Sequence, residues 1–150
     1  MRKKISKFGI ALVLLLSMMG CTTPSQWIAD AQVDELCAKD GGIKVYETVT
    51  LPKERFNQWG QFTGITVGEN TKPTDEYYWF SKDTEIPNAS GLVITKFHAW
   101  VYRRSDQKLL GETISYWRRG GDIPLPAHPS SYGCSKREKD ILEEIFLKAN

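Results

Sequence analysis

Two long β-rich runs separated by a short polar segment constrain this chain most, because they predict a β-hairpin at the centre of the fold. The runs cover about residues 92–104 and 109–119, with Ser105-Asp106-Gln107-Lys108 between them. Apolar and polar residues that alternate in this way are typical of strands with one buried face. A connection this short joins antiparallel neighbours directly. The sequence therefore predicts an antiparallel sheet built around this hairpin.

The simplest register of the hairpin pairs Trp100 with Thr113 and continues in both directions. It would place a core set on one face: Val93, Phe97, Ala99, Val101, Leu110, Ile114 and Tyr116. The other face would hold Lys96 and a candidate binding face of six residues: His98, Trp100, Tyr102, Thr113, Ser115 and Trp117. Rings mixed with hydrogen-bonding groups are common on surfaces that bind sugars, peptides or proteins. The alternative is that a terminal helix covers these rings and makes them part of the core.

The start of the chain predicts an export signal over residues 1–20. An apolar run from Phe8 to Met19 follows a basic cluster formed by Arg2, Lys3, Lys4 and Lys7, with no acidic residue before Cys21. Positive charge followed by an apolar stretch orients a segment in an export channel. The run is well short of the roughly 20 residues that a membrane-spanning helix needs, which argues against a permanent transmembrane anchor.

The segment Met18-Met19-Gly20-Cys21 resembles the lipobox of bacterial lipoproteins. In that family the cysteine becomes the new N-terminus and carries three acyl chains. Met18 and Met19 depart from the usual leucine and small residue. An ordinary secretory signal cut near Thr22 is the alternative, although no A-x-A-like site is present.

The lipobox resemblance implies lipidation of Cys21, a tether over residues 21–24 and a domain over residues 25–150. Three acyl chains would make the membrane attachment stable. In Gram-negative lipoproteins an aspartate after the cysteine typically retains the protein in the inner membrane. Thr22 stands at that position here, so the resemblance implies the outer membrane, with the domain facing the periplasm.

If Cys21 carries lipid, Cys37 and Cys134 remain as a pair. Two cysteines in an oxidising compartment predict a disulfide. It would close a loop of 97 residues, worth about 4 to 5 kcal/mol in the chain-entropy model. The alternatives are two free thiols or a metal pair, but His98 and His128 lie at no ligand spacing from the cysteines. We expect a disulfide, no metal and no cofactor.

The charge balance argues against a nucleic-acid partner. The chain has 20 basic and 18 acidic residues, but four of the basic residues lie in the predicted signal. The remainder of the chain, from Cys21 onward, is therefore slightly acidic and contains no basic stripe.

The remaining patterns predict a single α+β domain with a helix near each end. Ser25 is expected to cap a helix that reaches about Lys39, with four apolar positions: Trp27, Ile28, Ala31 and Cys37. Strands are predicted over residues 43–51 and 77–81, with a short helical turn after Pro52. A final helix from Ser135 would present one apolar face: Ile141, Leu142, Ile145 and Phe146.

Catalytic motifs are nearly absent. The match to S-x-x-K at residues 105–108 falls on the polar hairpin turn and lacks its partner motifs. No G-x-S-x-G, H-E-x-x-H, P-loop or dinucleotide-binding pattern is present. Arg118 and Arg119, followed by two glycines, form a candidate anion contact, although the solvated end of a strand is the simpler interpretation.

These observations favour a non-enzymatic envelope lipoprotein that binds, inhibits or structurally supports an envelope protein. One alternative is glycan or peptidoglycan binding through Trp100 and Trp117, which would require both rings to be exposed and roughly coplanar. The other is a hydrolase-like enzyme that uses His98 with an acid such as Glu112. It would require a concave site that brings His98 and a carboxylate within hydrogen-bond distance.

Overall fold

The computed structural model describes residues 23–67, 74–122, 129–134 and 140–150. The predicted signal and Cys21 lie outside the described residues. The described part is a small α+β fold with these elements: helix α1 (Pro24–Asp40), strands β1 (Gly42–Val45) and β2 (Val49–Leu51), a 3-10 turn (Lys53–Arg55), strands β3 (Ile65–Val67), β4 (Tyr77–Ile86), β5 (Val93–Arg103), β6 (Lys108–Arg119) and β7 (Ser131–Gly133), helix α2 (Ile141–Ile145) and strand β8 (Phe146–Lys148).

The predicted hairpin is the centre of a six-stranded, mostly antiparallel sheet. The strand order is β1-β6-β5-β4-β3, and β7 pairs with the other end of β6. β3 is the exception, because it runs parallel to β4. A separate parallel pair, β2 with β8, lies outside this sheet.

The register of the hairpin differs from the predicted one by one residue. Trp100 pairs with Glu112 rather than with Thr113, and the register shifts again after Val101. Leu110 is the extra residue at this β-bulge, since Val101 pairs with Gly111 and Tyr102 with Leu109. Because side chains alternate across a sheet, a slip of one residue moves the β6 side chains from Glu112 to Arg119 to the face opposite the predicted one. The predicted core face is therefore wrong for Ile114 and Tyr116. Leu110 does pack in the cluster with Val101, as predicted, because it lies at the bulge.

The two faces of the sheet carry separate cores. On one face, which we call the helix face, α1 covers a cluster that includes Ile94, Ile114 and Tyr116. On the opposite face, which we call the far face, α2 and the β2–β8 pair pack over Tyr77 and Val101. Each terminal segment thus closes one side of the sheet.

The predicted disulfide between Cys37 and Cys134 is confirmed. The Cα atoms of the two cysteines lie 5.6 Å apart, and the bond joins the last turns of α1 to the end of β7. At its other end α1 is fixed by a capping box, in which the Thr23 hydroxyl accepts a hydrogen bond from the Gln26 backbone N–H. The same Thr23 hydroxyl donates to the Gly121 carbonyl beyond the end of β6, so the first helix is held to the sheet at both ends.

The first helix ends within one residue of its predicted end, but it begins two residues early, because its cap is Thr23 rather than the predicted Ser25. Its buried side also differs from the predicted one. Gln26, Ala29 and Val33 face the sheet, whereas the predicted positions Trp27, Ile28 and Ala31 are exposed. Cys37 does lie against the core cluster, as predicted. The buried glutamine reflects hydrogen bonds to the sheet end that hydrophobicity alone cannot predict.

Three other predicted elements need correction. The predicted strand over residues 43–51 is divided into β1 and β2, because Tyr46 and Glu47 both donate backbone N–H groups to the Leu110 carbonyl. β4 continues to Ile86 rather than ending at residue 81. The described part of the final helix begins at Ile141 and ends at Ile145, and Phe146 opens β8 instead of extending the helix. Residues 135–139 of that prediction lie outside the described residues.

Candidate binding surface beside the first helix

Helix α1 covers only part of the helix face. It ends at Asp40, whose carboxylate accepts hydrogen bonds from Tyr116 Oη at 2.7 Å and Lys96 Nζ at 3.0 Å. We call the part beneath α1 the covered half; its side chains are Ile94, Ile114, Tyr116 and Arg118. Beyond Asp40 the same strands carry what we call the open half: Tyr46, Tyr78, Phe80, His98, Trp100, Tyr102 and Glu112.

The open half carries two groups of stacked rings. Phe80 and Trp100 are direct partners on β4 and β5, with stacked rings whose centroids are 5.6 Å apart. The His98 ring lies against Trp100 at a tilt of 30°, with the centroids 3.8 Å apart. Tyr78 and Tyr102 form a second stacked pair at 5.3 Å. Phe80 remains 51% exposed, so the fold leaves a large apolar ring in contact with solvent. Cross-strand pairs of this kind stiffen the sheet and fix the positions of the rings.

A carboxylate network lies beside these rings. Glu112 is bound by Tyr46 Oη and by His98 Nε2, each 2.6 Å from a carboxylate oxygen. Lys44 Nζ lies 3.6 Å from the same group. The side chain of Glu112 is only 14% exposed, whereas Tyr46 is 55% exposed. The open half therefore presents a fixed negative charge framed by aromatic rings.

The network holds Glu112 in its charged form. The hydrogen bond from Tyr46 is the main cause that lowers the pKa of Glu112, and His98 and Lys44 act in the same direction against partial burial. The same bond raises the pKa of Tyr46, because its hydroxyl proton is shared with a carboxylate. Glu112 is therefore an anion at neutral pH.

The one-residue slip divides the predicted candidate binding face. His98, Trp100 and Tyr102 lie on the helix face, whereas Thr113, Ser115 and Trp117 lie on the far face. Thr113 and Ser115 are buried there, and Trp117 contacts Phe97 with ring centroids 6.1 Å apart. Trp100 and Trp117 consequently cannot form one flat platform.

Four residues of the open half were not among the predicted binding residues: Tyr46, Tyr78, Phe80 and Glu112. Glu112 would have been placed there by the correct register, since it is the partner of Trp100. Tyr78 and Phe80 join the surface through the pairing of β4 with β5, and Tyr46 reaches it from the segment after β1. No local sequence pattern predicts that these residues contact the open half.

The predicted anion contact, Arg118 and Arg119, lies at the end of β6 that is remote from the open half. Arg118 is buried beneath α1, where Nε and Nη2 both donate to the Asp30 carboxylate, the latter at 3.1 Å. Its Nη1 donates to the Gly120 carbonyl at 2.8 Å and to Ser130 Oγ at 2.9 Å. Of the two arginines only Arg119 is exposed to solvent, so an anion would meet Arg119 alone.

His98 has one charged and one apolar neighbour across the sheet, Lys82 and Ile114. Its Nε2 is bound to Glu112, which the Tyr46 hydroxyl also contacts. Within the described ranges no group of three or more His, Cys, Asp or Glu residues is arranged to hold a metal ion.

Comparison with known proteins gives no relative to guide the assignment. Neither protein-family models, curated proteins nor solved structures show a significant match to this chain. Among the described residues, no helix has both the length and the apolar character needed to span a membrane.

Proposed function

We propose that the protein is a lipid-anchored envelope protein that binds a protein partner through the open half of the helix face. The observation that carries this proposal is the exposure of Phe80 and Tyr46 on a stiff sheet, beside the fixed charge of Glu112. Aromatic residues near a desolvated polar group are enriched at the centres of protein interfaces. The lipobox resemblance supplies the anchor at Cys21 and favours the outer membrane, with the domain facing the periplasm.

A protein partner fits the open half better than a glycan does. The Trp100 ring is already stacked against His98 and Phe80, which leaves less of its flat face for a sugar ring. Trp117, the second ring of the glycan alternative, is on the opposite face of the sheet. The surface offers ring edges, the outer side of Phe80 and a carboxylate, and these groups suit an apolar side chain next to a cationic one.

A binding role also fits the His98 and Glu112 pair better than hydrolysis does. A carboxylate within hydrogen-bond distance of His98 is one requirement of the hydrolase alternative. A general acid, however, needs a raised pKa, and the pKa of Glu112 is lowered, so Glu112 does not suit that role. The exposed rings beside the pair favour a structural and electrostatic role in recognition.

Site-specific crosslinking in intact cells tests the proposal. A photoreactive phenylalanine analogue at Phe80 is expected to give a discrete adduct with one envelope protein. The matched control carries the analogue at Glu85, which is exposed on the far face of the same strand. Trp100→Ala should abolish the Phe80 adduct because it removes the ring on which Phe80 stacks. Absence of the adduct, or an equal adduct from Glu85, would contradict a partner at this surface.

The anchor is tested separately by mass spectrometry of the mature N-terminus. We expect a peptide that begins at Cys21 and carries lipid on its sulfur and amine, and we expect Cys21→Ser to release the protein from membranes. An uncleaved signal, or an unmodified chain that starts after Cys21, would disprove the anchor without bearing on the open half.

A further inference from the structure

The first turn of α1 exposes two large apolar side chains that the fold does not use. Trp27 is 73% exposed and Ile28 is 44% exposed, although the neighbouring Gln26 and Ala29 are buried. Exposure of a tryptophan is costly in water and common at surfaces that meet a partner or a membrane interface. The position of this turn in the fold indicates which of these surfaces it meets.

Hydrogen bonds fix the start of α1 to one end of the sheet. The Gln26 side-chain amide donates to Asp122 Oδ1 at 2.9 Å and to Ser130 Oγ at 3.1 Å. Thr23 Oγ1 donates to the Gly121 carbonyl at 2.9 Å. These contacts span about a hundred residues of sequence, so Trp27 has a defined place relative to the sheet rather than belonging to a loose terminus.

Other exposed groups at the same end have the composition of a membrane-facing surface. Val93 opens β5 half-exposed, and its partner across the hairpin is Arg119, which is also exposed. Together with Trp27 and Ile28 they place three apolar side chains and one cation around the sheet end, beside the exposed carboxylate of Asp122. Tryptophan and arginine are the residues that anchor protein surfaces at lipid headgroups.

The reach of the chain limits how far this end can be from a lipid on Cys21. Only Thr22 lies between Cys21 and Thr23, and two residues of chain span at most about 7 Å. Building on the proposed lipidation, we infer that the end of the sheet carrying Trp27, Ile28, Val93 and Arg119 rests on the lipid headgroups. The partner of this surface is thus the membrane that holds the anchor.

This contact would orient the whole domain. β5 has 11 residues, and at about 3.3 Å per residue it spans about 35 Å from Val93 to Arg103. The turn bearing the exposed Trp59 packs near the far end of that strand, through Phe62 and Tyr77. The open half lies between the two ends and would stand clear of the membrane surface.

Tryptophan quenching in vesicles tests this orientation. The native, acylated protein is reconstituted into vesicles of phosphatidylethanolamine and phosphatidylglycerol that contain lipids with a spin label on the headgroup. Trp27→Phe should remove most of the label-dependent quenching, because the Trp27 ring lies among the headgroups. Trp59→Phe is the matched control, since it removes an equally exposed ring at the opposite end, and it should leave the quenching unchanged.

The mass of the same sample separates the two proposals. If Cys21 is acylated and quenching persists in Trp27→Phe or is lost in Trp59→Phe, the orientation is refuted and the anchor stands. If Cys21 is unmodified, the anchor and the orientation that rests on it both fail.

Discussion

The covered and open halves of the helix face come from the same strands but are stabilised differently. Beneath α1, Ile94 and Ile114 pack into an apolar cluster, Arg118 is paired with Asp30, and the disulfide closes the edge. A few residues further along, rings stack on one another in contact with solvent, and a carboxylate is held by polar neighbours. The difference arises from the point where α1 ends, at Asp40.

This contrast separates residues that stabilise the fold from residues that the fold leaves exposed to solvent. Side chains of the covered half lose their contacts if the helix or the disulfide is removed. Side chains of the open half contact mainly each other, so they can change with little effect on folding. Substitutions in each half test that division, because their expected effects on stability differ in size.

Loss of the disulfide should be the most destabilising change. Replacing Cys37 and Cys134 together by serine removes the closure of a 97-residue loop and should lower the free energy of unfolding by about 4 kcal/mol. Urea denaturation of the variant measures the loss, and the reduced wild-type protein is the control that should match it. Labelling of either cysteine in the unfolded, unreduced protein would contradict the pairing.

A cavity in the covered half should be nearly as costly. Ile94 is fully buried under α1, so Ile94→Ala should cost about 3 kcal/mol of unfolding free energy, within the range of about 2 to 5 kcal/mol seen for such cavities. Val93→Ala, at the exposed neighbouring position, is the control and should change it by less than about 0.5 kcal/mol. Similar losses from both variants would show that α1 does not seal this half.

Removing the larger ring of Trp100 should cost less than removing the smaller side chain of Ile94. Trp100 is partly exposed, so Trp100→Ala should lower the free energy of unfolding by less than about 2 kcal/mol while abolishing the crosslink from Phe80. Thermal and urea unfolding of both variants in one buffer give the comparison. A loss as large as that of Ile94→Ala would assign Trp100 to the core.

The smallest predicted effect is the pH dependence of the stability that Glu112 contributes. A carboxylate whose pKa is lowered by folding stabilises the fold above its ordinary value of 4.5, and this contribution disappears as the pH falls through the lowered pKa. Glu112→Gln should therefore cost about 1 kcal/mol at pH 7 and almost nothing once the pH is below the lowered pKa of Glu112. Glu143→Gln, at an exposed position of α2, is the control. A cost independent of pH would show that the charge of Glu112 does not matter.

Local patterns in the sequence were sufficient to predict some strands and helices. They were insufficient to predict which face of the sheet each side chain occupies. The alternation of β5 and β6 and the polar turn between them predicted the hairpin to within a residue or two. The register was mispredicted because a bulge at Leu110 and a slip of one residue leave the alternation within each strand unchanged. The open half depends on that register and on β4, so only part of it was predicted.

The first helix shows the same limit. Its end is set by the glycines after Asp40, which the sequence displays directly, but its start lies two residues before the predicted one, because Thr23 rather than Ser25 forms the cap. The buried side of the helix cannot be predicted locally, because Gln26 is buried by hydrogen bonds to residues about a hundred positions away in the sequence. Hydrophobic spacing placed Trp27 and Ile28 inside, and the sheet end placed Gln26 there instead.

The sequence by itself determined the features that depend on near neighbours: the strands and turn of the hairpin and the end of the first helix. The tertiary structure decided which side of β6 faces α1, where α1 stops covering the sheet, and which rings stay in solvent. These depend on contacts between residues far apart in the chain. A one-residue change in pairing exchanges the two faces while leaving every local pattern intact.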